Sequence, residues 1–249
     1  MTKLVIQIPC YNEEEVLRTT LDELPKTVEG FDQVEIVVID DGSMDATSQI
    51  AREYGGIHVV SLPCHMGLAR AFTVGIETAL RMGADVIVNT DADNQYCASS
   101  IPDLVRPILD GKAQVVIGAR PVRTDRHMSL VKRILQVFGS WVVRQASGTN
   151  IADAPSGFRA IHRDAALRLF VYSNYTYTLE TIIQAGRKNI PVVSVPVKVN
   201  PPTRPSRLVR SNVSYVLRSL TTICKRSFPS TLTPAIWRDV FEWESVRFD

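Results

Sequence analysis

Asp85-Val86-Ile87-Val88-Asn89-Thr90-Asp91-Ala92-Asp93-Asn94-Gln95 decides how this chain is read. A short apolar run, Val86-Ile87-Val88, is followed at once by two carboxylates on alternate residues. Alternate residues of an extended chain project to the same side, so Asp91 and Asp93 point together, and the Gln95 amide follows two positions on. Hard oxygen donors in this pattern suit Mg²⁺ or Mn²⁺, which prefer carboxylate, carbonyl and water and usually also take phosphate oxygens from a substrate. A second acidic pair, Asp40-Asp41-Gly42-Ser43, closes the earlier run Val34–Ile39. Two acidic strand ends in one alternating chain point to a nucleotide–metal site.

Around these ends the first half alternates β-branched runs with helical patterns, the signature of βαβ units and a mainly parallel sheet. Leu4–Ile8 predicts a strand that Pro9 terminates. Asn12 predicts the cap of a helix carrying Glu13, Glu14 and Glu15 in its first turn, with Pro25 just past its end. Val34–Ile39 is the second strand, and Ser43 or Asp45 caps a helix stopping at Gly55-Gly56. Ile57–Ser61 is a third strand, Leu68–Arg81 a helix and Asp85–Val88 the fourth strand. Ser100 and Pro102 open a helix that Gly111 ends, and Val115-Val116-Ile117 is the fifth strand.

The second half is less regular. Met128–Gln145 predicts an amphipathic helix with Leu130, Ile134, Val137, Phe138, Trp141 and Val142 on one side. Ser156-Gly157-Phe158-Arg159-Ala160 predicts a short strand or turn beneath the site, Thr178–Lys188 a helix and Val192–Val199 an extended segment. There is no internal repeat, low-complexity tract or linker.

A chain of 249 residues with 45% hydrophobic content can bury a sizeable core within one domain. The net charge of +2 is unevenly spread: acidic residues gather at strand ends in the first half, basic ones in Arg120–Arg133 and Lys198–Arg226. Those basic stretches form either a solvated face or a surface for anionic groups, whether phosphates or lipid headgroups. Nucleic acid is not an expected partner. Cys10, Cys64, Cys97 and Cys224 have no paired metal-ligand spacing and read as reduced thiols of a cytoplasmic protein. Met1-Thr2-Lys3 runs straight into a strand, so no secretory signal is expected. No apolar stretch is long enough to span a bilayer, so any membrane contact would be peripheral, at the inner face. Ser211–Arg226 interleaves arginines with Val213, Val216, Leu217, Leu220 and Ile223. That pattern suits a membrane surface, packing on the domain, or a contact between copies of the chain.

Four segments in order, Ile8-Pro9-Cys10-Tyr11-Asn12-Glu13, Val38-Ile39-Asp40-Asp41-Gly42-Ser43, Asp91-Ala92-Asp93 and Ser156-Gly157-Phe158-Arg159, make the chain similar to GT-A glycosyltransferases of family 2. Within that family it most resembles the polyprenyl-phosphate sugar transferases, of the dolichyl-phosphate mannosyltransferase kind, over roughly residues 3–208. The resemblance implies a GT-A, Rossmann-like α/β fold with flanking helices. Residues 1–208 would be one catalytic domain, with 1–118 as the nucleotide-sugar half, 119–208 as an irregular acceptor half, and 209–249 as a basic amphipathic extension. It implies a nucleotide-diphosphate sugar donor, GDP-mannose or a UDP-sugar. Pro9, Tyr11 and Glu13 would line the nucleotide pocket and Asp40 would bond the base or ribose. Asp91, Asp93 and Gln95 would hold the metal, with Ala92 between them against the donor. Arg70, after His65-Met66-Gly67, would face the nucleotide or a phosphate, while His65 reads as structural. Arg120, with Lys132 or Arg133, would hold an acceptor phosphate, for which the planar guanidinium is suited. Arg204 and Arg207 fall where the family carries a basic cluster that closes over the diphosphate, although Arg204-Pro205 replaces the glycine expected there.

Transfer to an alcohol needs a general base, whereas an ionised phosphate does not. Asp153 and Glu180 are the candidates for such a base, the latter with an ion pair to Arg187 or Lys188, or a contact with a neighbouring loop, as its structural reading. The acceptor is thus expected to be a polyprenyl phosphate, with a soluble hydroxyl compound as the alternative. A signalling receiver domain resembles the Asp40-Asp41 end but leaves Ser-Gly-Phe-Arg unexplained. A nicotinamide-binding domain lacks its Gly-x-Gly-x-x-Gly turn. A non-catalytic scaffold would bind nucleotide and metal without releasing product.

Overall fold

The computed structural model describes residues 1–121, 130–173 and 177–201, with the backbone alone at 130–136 and 138. Arg204, Arg207, the Ser211–Arg226 stretch and the whole 209–249 extension lie outside the described residues.

Seven strands form one sheet: β1 Lys3–Cys10, β2 Gln33–Asp40, β3 His58–Ser61, β4 Val86–Asn89, β5 Val115–Ala119, β6 Arg159–His162 and β7 Val192–Pro196. Seven helices accompany them: α1 Leu17–Glu23, α2 Thr47–Tyr54, α3 Leu68–Arg81, α4 Ile101–Leu109, α5 Leu130–Ser147, α6 Arg163–Ala166 and α7 Thr178–Arg187. The spatial order is β3-β2-β1-β4-β6-β5-β7. All neighbouring strands are parallel except β6, which runs antiparallel between β4 and β5. The sheet is therefore mixed α/β and mostly parallel, as expected.

Each central strand is apolar on both faces, as buried parallel strands are, and alternate residues enter different cores. Leu4, Ile6 and Ile8 of β1 join Leu17, Leu21 and Leu104 in one layer, packed under α1, α2 and α4. Val5, Ile87 and Ile117 join Phe72, Ile76, Val143 and Ile183 in the other, under α3, α5 and α7.

Several expectations are corrected. β1 runs through Pro9 to Cys10. Cys10 C=O accepts from Asp41 N–H on the β2 side, which turns Pro9 toward β4. The β4 partner there has already ended at Asn89, so no ladder donor is missed. α1 begins at Leu17 with no acidic residue in its first turn. Asn12 instead adopts a left-handed φ of 54°, and its Oδ1 accepts from Met44 N–H at 2.8 Å. Ser100 and Pro102 do open α4, and the Ser100 Oγ accepts from Lys198 N–H at 3.2 Å. Among the described side chains of α5, Ser140 and Ser147 are buried, and so is Val143, while Trp141 is exposed. Two residues of helix rotate the chain by roughly 200°, so these two cannot share a face.

α5 and α7 meet where an added Cβ on Gly186 would lie 1.8 Å from the Ser147 carbonyl oxygen. The two backbones touch there without an intervening side chain. Gly186→Ala is expected to lower the unfolding free energy by about 3 kcal/mol, the upper range for overpacking, in a chemical denaturation experiment. An unchanged midpoint and slope would refute this contact.

Candidate active site

The strand order reverses at β1. The chain moves outward from β1 through β2 to β3, then returns to place β4 on the other side of β1. In open α/β sheets, ligands bind outside the carboxyl ends of strands at such a switch point. Here those ends are Cys10, Asp40 and Asn89, and both acidic segments follow directly.

On the β2 side, Asp40 and Asp41 are buried and have different tasks. Asp40 Oδ1 accepts from Ser43 N–H at 3.0 Å. Asp41 accepts from Met66 N–H at 2.7 Å, Gly67 N–H at 2.9 Å and His65 Nδ1 at 2.8 Å. It thereby holds the turn that starts α3. A Cβ on Gly42 would lie 2.4 Å from the Cys64 carbonyl carbon, so the two loops pack backbone to backbone. The imidazole of His65 stacks on Tyr11, with ring centroids 3.8 Å apart and planes 23° from parallel. His65 thus has the structural engagement expected of it, at the edge of the proposed nucleotide site. Arg70 is exposed at the first turn of α3.

The segment after β1 is clasped to the segment after β2. Asn12 N–H donates to Ser43 Oγ at 3.0 Å and Glu13 N–H to Thr47 Oγ1 at 2.7 Å. Ala46 N–H donates to Glu14 Oε2 at 2.8 Å. The acidic run therefore supports the entry of α2 rather than the first turn of α1. A cavity of about 260 Å³ opens beside this clasp, lined by Asn12–Val16, Met44 and Asp45; Asp91 and Asp93 do not line it.

On the β4 side, Asp91 is half-buried and Asp93 adjoins it. Asp93 Oδ1 accepts from Gln95 N–H at 3.0 Å across Asn94, whose φ is 55°. Gln95 C=O accepts from Asn200 N–H at 2.8 Å, which ties this loop to the segment after β7. The Gln95 side chain makes no hydrogen bond among the described residues. Thr20 Oγ1 of α1 donates to Ala92 C=O at 2.8 Å. The Asp91 carboxyl is pushed up to about 7, by burial first and the adjoining Asp93 charge second, against the pull of Arg120.

This pair fits a hard divalent cation, because one ion would relieve both the burial and the mutual repulsion of two carboxylates. Among the described residues no three His, Cys, Asp or Glu side chains converge on a metal position. Mg²⁺ held by one or two carboxylates and completed by water and phosphate needs no third.

Beneath the aspartates lies a polar floor. Gln7 Nε2 donates to Asn89 Oδ1 at 2.8 Å, and Asn89 Nδ2 donates to Gly157 C=O at 2.8 Å and to Tyr177 Oη at 3.0 Å. A Cβ on Gly157 would stand 3.0 Å from both Asp91 Oδ1 and Tyr177 Oη. Arg159, 1% exposed, fixes this turn from below. It donates to Ser156 C=O (2.8 Å), Ala154 C=O (2.8 Å), Thr178 C=O (2.9 Å) and Thr181 Oγ1 (2.8 Å).

Arg120 and Asp153 form a two-pronged ion pair, Nε to Oδ2 at 2.7 Å and Nη2 to Oδ1 at 3.0 Å. Arg120 N–H adds a third bond to Oδ2 at 3.2 Å. Asp153, a candidate general base, therefore has both carboxylate oxygens bonded to a permanent cation. Glu180 is buried, and its Oε2 accepts from Tyr172 N–H at 3.1 Å and Ser173 N–H at 3.0 Å. Those two backbone amides lie in the neighbouring loop, one of the structural alternatives expected for Glu180. Lys132 and Arg133 fall in α5, but their side chains lie outside the described residues.

The profile of glycosyl transferase family 2 matches residues 5–170, a span holding both acidic strand ends and Gln7, Asn89, Gly157 and Arg159 of the floor beneath them. The chain belongs to glycosyl transferase family 2. Among curated relatives of this glycosyltransferase is the UDP-N-acetylglucosamine–dolichyl-phosphate N-acetylglucosaminyltransferase of Methanococcus voltae. It is 26% identical over 212 residues, covering 77% of this chain and 83% of that protein. The polyprenol monophosphomannose synthase of Mycolicibacterium smegmatis is 28% identical over 206 residues, covering 78% and 76%. Among solved structures, glucosyl-3-phosphoglycerate synthase from Mycobacterium tuberculosis, in complex with Mn²⁺, UDP and phosphoglyceric acid, superposes with a TM-score of 0.67. It is 21% identical and covers 90% of this chain and 78% of that one, a likeness of GT-A fold.

Sequence reasoning on this glycosyltransferase named Asp41 and Arg159 only as members of motifs, without a task, and assigned none to Asn89 or Tyr177. Gln7 and Asn89 were legible only as polar interruptions of apolar strands, and their pairing needs the β1–β4 register, in which Gln7 lies beside Asn89.

The raised Asp91 carboxyl has a consequence for stability. With the unfolded carboxyl near 3.8 and the folded one near 7, the folded state binds more protons between those values. Stability of the metal-free protein therefore falls as pH rises through that window. Asp91→Asn is expected to raise Tm in chelator at pH 8 by about 3 °C and to leave it unchanged near pH 4. A lower Tm at pH 8 would contradict the burial of this charge.

Proposed function

We propose that the protein is a metal-dependent, inverting glycosyltransferase that moves a sugar from a nucleotide-diphosphate sugar to a polyprenyl phosphate. The observation that carries this reading is the Asp91–Asp93 pair at the β1–β4 switch point, with one carboxyl lifted to about 7. Asp91 and Asp93, with Gln95, would hold Mg²⁺ or Mn²⁺, which when bound neutralises the charge that builds on the departing nucleotide diphosphate. Pro9, Tyr11, Glu13 and Asp40 would receive the nucleoside, Ala92 would lie against the donor, and Arg70 would meet a phosphate. Arg204 and Arg207 would close over the diphosphate.

Arg120 is the candidate for the acceptor phosphate, supported by Lys132 or Arg133. Held from one side by Asp153, its guanidinium is oriented before any acceptor arrives, so part of the ordering entropy is already removed. The acceptor oxygen attacks the anomeric carbon opposite the leaving group, which inverts the configuration. A phosphate oxygen is already ionised and needs no base, in keeping with the engagement of Asp153. Of the curated relatives described above, one is named for transfer to dolichyl phosphate and the other for making polyprenol monophosphomannose. A lipid-borne acceptor would bring the protein to a membrane surface, and no helix among the described residues is long and apolar enough to cross one.

The second reading keeps the donor and transfers to a soluble hydroxyl. It rests on Glu180, the other buried carboxylate among the described residues of the acceptor half. Nucleotide diphosphate release, assayed with Mn²⁺ and a panel of UDP- and GDP-sugars, separates the two. Polyprenyl phosphate is expected to accelerate release where saccharides do not, and Asp93→Ala to reduce it by about 100-fold or more. Undiminished turnover in Asp93→Ala would overturn the metal role. Saccharide-dependent release that collapses in Glu180→Gln would favour the hydroxyl acceptor.

Gly157→Ala tests the floor separately. The added methyl presses on Asp91 and Tyr177, and it is expected to weaken Mn²⁺ binding by about tenfold with the fold intact, measured by calorimetry. Wild-type Mn²⁺ affinity would show that this turn does not position Asp91.

A further inference from the structure

Resting on the donor-binding reading above, we infer that His65 is a nucleobase-stacking residue whose plane is fixed by Tyr11 and Asp41. Three observations converge on it. His65 Nδ1 lies 2.8 Å from Asp41 Oδ2, and Asp41 is 3% exposed while the His65 side chain is 50% exposed. The Asp41 carboxylate is itself immobilised by Met66 N–H and Gly67 N–H, so it anchors the imidazole to the start of α3. The Tyr11 ring lies parallel to the imidazole at 3.8 Å, and Tyr11 follows the last residue of β1 directly. His65 is therefore the outer ring of a two-ring wall. It stands beside the carboxyl ends of β1 and β2, where a nucleotide meets a parallel sheet.

An exposed histidine on a flexible loop would lose side-chain freedom on stacking a base. Here that freedom is already lost, to a buried carboxylate at one edge and to an aromatic face. Pre-orientation of this kind raises affinity without a new contact, and a stacked base gains from any planar partner. The Asp41 contact also leaves the opposite edge, Nε2, as the one polar atom of the ring not facing the protein's anchoring carboxylate. His65 thus adds to donor binding and takes no part in the transfer step, so its loss should appear in KM and leave kcat alone.

The experiment compares wild type with His65→Ala and His65→Phe. It measures Kd for UDP and for GDP by calorimetry, KM and kcat for the donor that turns over, and Tm without ligand. His65→Ala is expected to weaken nucleotide binding by about tenfold and raise donor KM by a similar factor, with kcat within twofold. His65→Phe, which keeps a planar ring but cannot bond Asp41, is expected to recover at least half of that loss on a logarithmic scale. Ligand-free Tm should be within about 2 °C of wild type for both, since the side chain is half-exposed. Wild-type Kd in His65→Ala would overturn the inference. So would a fall in kcat with unchanged KM, or a Tm loss large enough to account for the weakened binding. If wild type itself binds neither nucleotide, the donor reading fails first, and that outcome is distinguishable from the others.

Discussion

The site depends on a buried guanidinium. Arg159 lies in the sheet layer almost without solvent, and it remains there because four acceptors surround it. A buried arginine without partners would be strongly destabilising, so the fold must bring the 154–156 turn and the first turns of α7 to this one point. Once they arrive, Gly157 is held against Asp91, and Tyr177 is brought under the Asn89 amide. The position of the acidic corner thus follows from satisfying a charge on the other side of the backbone.

Above that girder the electrostatics are deliberately unequal. Arg120 and Asp153 neutralise each other at 2.7 Å, while Asp91 and Asp93 stand side by side and repel each other. The ion pair adds rigidity on the acceptor side. The acidic pair lifts one carboxyl toward neutrality and is further stabilised when positive charge arrives. A protein that keeps such repulsion in its free state gives up some stability there and regains it on binding, which is a common property of functional sites.

The fold was largely legible in the chain because its signals are local. Alternating β-branched runs, glycine stops and strand-end acids located the helices and strands of the first half to within a few residues. The misreadings share a cause. Pro9 was taken as a terminator, and Asn12 with its three glutamates as a helix opening. Each reading assumed that a residue serves its own segment. In the structure Pro9 faces a neighbour that has already ended, and Asn12 and Glu14 serve the loop after β2. The partner of Asp153 was out of sight for the same reason, since nothing in its local sequence reveals Arg120, thirty-three positions earlier.

The sequence by itself determined the α/β class, the family, and the two acidic strand ends where chemistry would gather, because periodicity and short motifs are properties of neighbouring residues. Tertiary structure alone decided which of those acids anchor a neighbouring loop and which are crowded together. It also decided that β6 inserts antiparallel beside β4, that Asp41 anchors His65, and that Arg159 bears up the floor. Those outcomes depend on register and on hydrogen bonds between residues tens of positions apart, and a buried polar group reveals its role only when its partner is in place.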